Sequence, residues 1–311
     1  MSLATRSTPY RVLLALGLLG AIVAVDTSAR AEEITVGVFI PQSRLSTNAE
    51  RSAWADALAA HIAKATEGRI TARTQVFARR EDAKTMSTRL DILISDGLFA
   101  AELGGEVIAH AAAAPAVGLY AVDGSNLSTL KGKPVAFAAS GTNDAAFYSN
   151  TALAGEVSAD GWFSELRDAK DAASALNMVR TGSVPAAFGP VDHPAAAGLT
   201  LINRGGAYAA AVVVVMNRAH VDPLKRDLVA AILAPGGGGQ LGAFSAGMGD
   251  ALVQIRAARG GLRALGAQPI LAESPDAQLR APPIRLRARG RLPPPSLGAV
   301  QLPKVTLSEE P

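Results

Sequence analysis

Ser140-Gly141-Thr142-Asn143 closes an apolar run, and a helix-like pattern begins directly behind it. Two hydroxyls, a glycine and an amide at a strand-to-helix junction suit either of two jobs. A helix N-terminus carries roughly half a unit of positive charge and unpaired N–H donors, so the turn could cradle an anion, with Gly141 letting the backbone approach closely. Ser, Thr and Asn are equally the residues that cap helices. Asp144, in the first turn, competes for the same positive end. On the residues alone both readings stay open. Gln42-Ser43 and Ser95-Asp96 each follow an apolar run, where polar residues act as turn formers or as solute contacts. Asp96 repels a dianion unless it meets a ligand hydroxyl or amine.

Other chemistries find no support. With zero Cys the chain has no disulfide, thiolate metal site or thiol nucleophile. His61, His110, His193 and His220 show no metal-ligand spacing, and no H-E-x-x-H, G-x-S-x-G or P-loop occurs. Asp168/Asp171 and Glu81/Asp82 fit helix starts better than acid–base pairs. The run GGGQLG at 237–242 matches G-x-G-x-x-G only formally, because no strand precedes it; it reads as an interhelical loop. A net charge of +3 with 5% aromatic residues gives no basis for nucleic-acid binding. The expectation is a binding protein without cofactor or metal, and not an enzyme.

The elements around these residues alternate between strand and helix. Glu33–Ile40 reads as a strand stopped by Pro41, and Thr47-Asn48-Ala49-Glu50 as a capping box. Trp54, Leu58, Ile62 and Ala65 recur at helical spacing up to Gly68. Ile70–Phe77 is a second strand, Glu81–Thr88 a short helix and Leu90–Ile94 a third strand. This rhythm implies right-handed parallel crossovers. Ala116–Val122 is a further strand and Ser125–Leu130 a single turn. A second rhythm then runs through a strand at Pro134–Ala138, a helix at Asn143–Ala154 and a strand at Trp162–Leu166. A helix at Asp168–Thr181 and a strand at Val184–Phe188 follow. Leu199–Ile202 and Ala209–Met216 are strands too. Val212–Val215, apolar on both faces, belongs at a sheet centre. Helices at Asp222–Leu233, with Pro223 at its first position, and Leu241–Ala257 close the fold, with a last short element at Leu262–Leu271. Two α/β lobes result, 32–118 plus 213–274 and 119–212, with a cleft faced by strand ends and helix N-termini.

Both ends read differently. Arg6 and Arg11 lead into the apolar run Val12–Val25, followed by Ala29-Arg30-Ala31. That succession is a secretory signal peptide, residues 1–31, cut after Ala31; the run is short of the ~20 residues of a spanning helix. Residues 275–311 are rich in Pro and Arg, lack apolar periodicity and read as a disordered tail.

Several stretches together resemble the phosphate/phosphite/phosphonate-binding periplasmic proteins that serve ABC importers. They are ITVGVFIPQS, LDILISDG, STLKGKPVAFAASGTNDAAF, AKDAASALNMVRTGSVPAAF and AHVDPLKRDLVAAIL, from about Glu33 to Leu252. LKGKPVAF is the most specific of them. The resemblance implies a two-lobed type II periplasmic-binding-protein fold, each lobe a mainly parallel sheet flanked by helices. It implies a monomer in the periplasm that closes around a small anionic solute and works with an ABC permease or a membrane sensor. The family's Ser/Thr-rich turn falls on Ser140, Thr142 and Asn143, without its Ser-Thr-Ser pattern. Its helix-start His falls at about Lys170. Its amino-alkyl-recognising acid aligns near Gly189, with Asp192 as the nearest substitute, and its G-x-x-D aspartate is Pro185. A degenerate homologue acting as an envelope scaffold or partner-binding module is the alternative that these departures leave open.

Overall fold

The computed structural model describes residues Ala31–Arg259. The chain opens with β1 (Glu32–Phe39), α1 (Asn48–Ala65), β2 (Ile70–Val76), α2 (Arg80–Met86), β3 (Ile92–Ser95), α3 (Gly97–Leu103) and β4 (Glu106–Ala111). It then builds β5 (Ala116–Ala121), β6 (Pro134–Ala138), α4 (Asp144–Asn150), α5 (Ala159–Trp162), β7 (Glu165–Ala169), α6 (Ala172–Arg180), β8 (Ala186–Pro190) and β9 (Thr200–Ala207). It returns through β10 (Val212–Val215), α7 (Arg218–Val221), α8 (Lys225–Leu233), β11 (Phe244–Ala246) and α9 (Gly249–Ala258).

The strands form two sheets. One has six strands in the order β11-β4-β10-β3-β1-β2, the other five in the order β7-β6-β8-β5-β9. The chain therefore passes between sheets twice, through residues 112–115 and 208–211. This is the two-lobed α/β architecture expected. The sheets are mixed rather than mainly parallel: β1 pairs parallel with β2 and β3, but β10 runs antiparallel to β3 and β4. In the second sheet β6 is parallel to β7 and β8, while β5 is antiparallel to β8 and β9. β5 and β10 are the strands reached directly from the crossing segments, without a helical crossover to turn them parallel.

Apolar patterning explains the cores. Alternate residues of β1 and β3 pack with Trp54, Leu58 and Ile62 of α1 on one face of the first sheet. Phe39, Leu93 and Phe99 fill the other face. A third cluster is shared between lobes: Leu98, Val212 and Val214 meet Phe147, Tyr148 and Phe188, with Leu252 and Ile255 of α9 alongside. The capping box at α1 is present, with Thr47 and Glu50 bonding reciprocally.

Several elements differ from the sequence reading. The helix expected from Asn143 ends at Asn150, where the Thr151 hydroxyl bonds back to the Phe147 carbonyl. The helix expected from Asp168 starts at Ala172, because Asp171 caps it by accepting from the Ser174 N–H, and Asp168 lies within β7. Of the helix expected at Asp222–Leu233, only Lys225–Leu233 is helical, as α8; Pro223 lies in the turn after α7 and not at a first helical position. Leu241–Ala257 holds a strand before its helix, and α3 and β4 have no counterpart among the expected elements. The Gly-rich run at 237–242 is a packed loop: the Trp54 indole donates to the Gly238 carbonyl at 2.8 Å. A Cβ at Gly238 would lie 1.5 Å from the Gly242 carbonyl oxygen. The leader expected at 1–31, apart from Ala31, the element expected at 262–271 and the tail expected at 275–311 lie outside the described residues.

Candidate functional site

The loops after β1, β3 and β6 meet where the two lobes face each other. Gln42 and Ser43 follow β1, Ser95 ends β3, Asp96 caps α3, and Ser140–Asn143 link β6 to α4. Of these, Gln42, Ser43, Ser95, Asp96, Ser140 and Gly141 are buried, and Thr142 and Asn143 are exposed.

The buried members bond to one another across the lobes. The Gln42 side-chain amide donates to the Ala138 carbonyl at 3.0 Å and to the Tyr148 hydroxyl at 2.8 Å. The Tyr208 hydroxyl donates to the Gln42 carbonyl. The Ser140 hydroxyl donates to Asp96 Oδ2 at 2.8 Å, and Asp96 also accepts from the Phe99 N–H at 3.0 Å. His193 accepts the Ala195 N–H on Nδ1, which leaves Nε2 to donate to the Ser43 carbonyl at 3.2 Å. Further out, Arg51 of α1 pairs with Asp171 at the start of α6 at 2.9 Å, their side chains 3% and 2% exposed. Ser95 is fully buried and its hydroxyl has no hydrogen-bond partner.

The turn in question is occupied by the protein's own anion. The Ser140 N–H donates to Asp144 Oδ2 at 2.9 Å, and the Gly141 N–H to Asp144 Oδ1 at 2.9 Å and Oδ2 at 3.1 Å. Asn143 stands at the N-cap position without a side-chain cap bond. Thr142 is no cap either; its hydroxyl accepts from Arg259 Nη2 at 3.2 Å. The donors come from the turn before the helix, so the grip does not depend on the dipole of a seven-residue helix. Arg80 donates to the Gly141 carbonyl at 2.8 Å, so two guanidiniums flank the turn.

Electrostatics follow from burial. Asp144 is pushed up to about 7 by desolvation, against the pull of the Gly141 and Ser140 N–H bonds, with the nearby Asp96 charge adding to the rise and Arg259 opposing it. Asp96 is pushed up to about 6 by desolvation, against its bonds from Phe99 and Ser140. Burial also raises Asp171, but the bonds from Ser174 and Arg51 outweigh it and hold that carboxyl below its ordinary range. Burial holds the His193 imidazole below its ordinary value.

Two expected contacts are not brought to this cluster. Lys170 is exposed beside the N-cap of α6. Asp192 lies past β8, where its carbonyl accepts from Arg44 Nη2 at 3.2 Å. Arg44 and Asp192 line a separate cavity of about 370 Å³ beside the crossing segments. Asp144, Tyr148, Tyr208, Arg51, Arg80 and Arg259 were not anticipated as members of the site. Only Asp144 left a trace in the sequence, as a carboxylate next to donors it could satisfy.

No family model matches the chain, and no curated protein matches it. Solved structures do resemble it. The methylphosphonate complex of PhnD1 from Prochlorococcus marinus (MIT 9301) is 14% identical, with a TM-score of 0.57 over 73% of this chain and 97% of that one. A binding protein component of an ABC phosphonate transporter from Pseudomonas aeruginosa is 16% identical, with a TM-score of 0.57 over 73% and 85%. A Xanthomonas citri protein bound to chloride ion is 11% identical, with a TM-score of 0.51 over 73% and 97%. Likenesses at these identities establish the fold, a two-lobed type II periplasmic binding protein architecture.

Proposed function

We propose that this chain is an exported solute-binding protein that holds a small oxyanion, phosphate-, phosphite- or phosphonate-like, between its lobes. It would serve an ABC importer or a sensor from the periplasm, as a monomer freed of its leader after Ala31. One observation carries the reading: the Ser140 and Gly141 N–H groups already converge on a carboxylate, that of Asp144. A cradle that grips one oxyanion has the donor geometry for another. Arg80 and Arg259 flank the turn and supply positive charge that Lys170 does not. Capture requires Asp144 to leave the cradle, and its raised proton affinity lowers the barrier to that in mildly acid solution. The work is differential affinity between lobe arrangements and needs no catalysis.

A specific feature favours a second reading, a partner-binding module that no longer takes solute. Side chains of both lobes interlock through Gln42, Tyr148 and Tyr208, and an apolar cluster runs across them. A thermal-shift panel of phosphate, phosphite, methylphosphonate and sulfate on the mature chain, at pH 5.5 and pH 8, separates the two. Ligand at a hundredfold excess over its Kd stabilises by about 2.7 kcal/mol, a rise of several degrees. A rise with one anion, lost in Ser140→Ala, supports the oxyanion site. A flat response to the whole panel at both pH values rejects it in favour of the module.

A further inference from the structure

Residues 40–47 join β1 to α1 in the first lobe, yet the tip of this loop bonds almost entirely outside that lobe. Three consecutive main-chain carbonyls are held from beyond it. The Pro41 carbonyl accepts from the Ala172 N–H at 2.9 Å, the Gln42 carbonyl from the Tyr208 hydroxyl, and the Ser43 carbonyl from His193 Nε2 at 3.2 Å. Two side chains join them: the Gln42 amide donates to the Ala138 carbonyl and the Tyr148 hydroxyl, and Arg44 to the Asp192 carbonyl. Tyr208 belongs to a crossing segment, and the other partners belong to the second lobe. We propose that residues 41–44 are a latch: a segment of one lobe, gripped by the other as a bound peptide would be, that holds the lobes together without a solute to bridge them. The latch concerns the chain by itself and holds under either reading of the function.

The base of the loop is fixed in its own lobe. Leu45 is buried in the core of the first lobe, and its carbonyl accepts from Arg51 Nε at 3.0 Å. Pro41 has a fixed φ and no N–H to leave unpaired, so docking has little left to order. Pro41, Gln42 and Ser43 are all buried. The Ala172 N–H is one of the donors that the first turn of α6 cannot satisfy internally, and the opposite lobe supplies its acceptor. A loop that served only its own lobe would spend its polar groups there; this one spends them on the other. Each hydrogen bond shifts an equilibrium about two- to tenfold net. A rigid base makes the bonds of the tip break together when the lobes part, so their effects multiply.

Hydrogen exchange at the Ala172 amide reads the latch directly, because that N–H is freed when the loop lets go. Gln42→Ala removes two of the bonds without touching Ala172. On the mature chain, refolded from urea to strip any carried-over solute, it should speed exchange at Ala172 roughly tenfold. The Ala175 N–H, bonded to the Asp171 carbonyl within α6, should keep its rate. Tyr208→Phe deletes one hydroxyl and keeps the ring, so it serves where Gln42→Ala does not fold, with an expected acceleration of about two- to tenfold. An unchanged Ala172 rate overturns the proposal. So does equal acceleration at Ala175, which would mean that the variant loosens the second lobe itself. The chain has no cysteine, so Ser52→Cys on α1 and Asp168→Cys on β7, both exposed, give one spin-label site per lobe. Dipolar spectroscopy of that protein, refolded in the same way, should show a single short distance between the lobes. A predominantly long distance also overturns the latch. Neither measurement uses an anion, so failure of the oxyanion panel and failure of the latch are separate results.

Discussion

Asp144 and Ser140 are separated by a three-residue turn, and the carboxylate folds back over it to take the N–H groups of Ser140 and Gly141. The Ser140 hydroxyl then reaches Asp96 in the other lobe, so two buried carboxylates share one serine. Polar residues at this junction were legible in the sequence, but their division of labour was not. Which of them caps, which donates and which faces solvent depends on a turn closing on itself and on a lobe arriving from elsewhere. A pH dependence follows. An aspartate in an unfolded chain titrates near pH 3.9. Folded Asp144 and Asp96 hold protons up to about 7 and about 6, so folding takes up protons between these limits. Their contribution to stability is complete below about pH 4 and is lost as pH rises through the folded values. His193, whose proton affinity is lowered by burial, acts in the opposite sense, so variants rather than the bare profile isolate the carboxylates. The unfolding midpoint should fall by several degrees between pH 5 and pH 8, at about 2–4 °C per kcal/mol for a chain of this size. Asp144→Asn and Asp96→Asn should each flatten that fall in scanning calorimetry. Profiles in the variants as steep as the parent's would show that neither carboxyl retains its proton.

At the scale of elements, local signals were read where one residue type does one job. The Thr47–Glu50 box starts α1, and a Val-only run made β10 a central strand. Strand direction was not legible, because periodicity records which face is buried and not which way the chain runs. β4 and α3 were missed because small residues and glycines around 97–114 give neither a helical nor an alternating period. The contact between α1 and α6 was invisible for another reason: Arg51 and Asp171 each look like solvated helix charges until the lobes meet. Buried and paired at 2.9 Å, they should be coupled. Arg51→Met leaves the Asp171 carboxylate unpaired and should cost about 3–5 kcal/mol in urea unfolding. Arg51→Met with Asp171→Asn removes the stranded charge and keeps the cap of α6, so it should recover much of that loss. Two losses that simply add would mean that the pair is not coupled in solution.

At the scale of the molecule, the question is what holds two sheets, joined among the described residues by two crossing segments, in one arrangement. Polar locks at Gln42 and Arg51 contribute, and so does the apolar cluster that α9 completes. Leu252 and Ile255 of α9 are buried with Leu98 from the first lobe and Phe147 and Tyr148 from the second. The Asn150 side-chain amide also donates to the Ala258 carbonyl at 2.7 Å, fixing the end of α9 against α4. The last described helix is thus a strap over the lobe interface, although the sequence reads there as one more closing helix. The proline-rich sequence at 275–311 has no apolar period, and we propose that it adds nothing to the fold. Two truncations separate these roles. A chain ended after residue 274 should unfold within about a degree or two of the parent, because segments outside the core contribute little. A chain ended after Met248 loses the burial of Leu252 and Ile255, each worth about 1.5–3 kcal/mol. At about 2–4 °C per kcal/mol, its midpoint should drop by roughly 6 °C or more. Small-angle scattering at low temperature reads the second consequence. If α9 straps the lobes, the shorter chain has a larger radius of gyration than the parent while its helical circular dichroism falls only by the share of α9. An unchanged radius with an unchanged midpoint would place the closure elsewhere, in the Gln42 and Arg51 contacts alone.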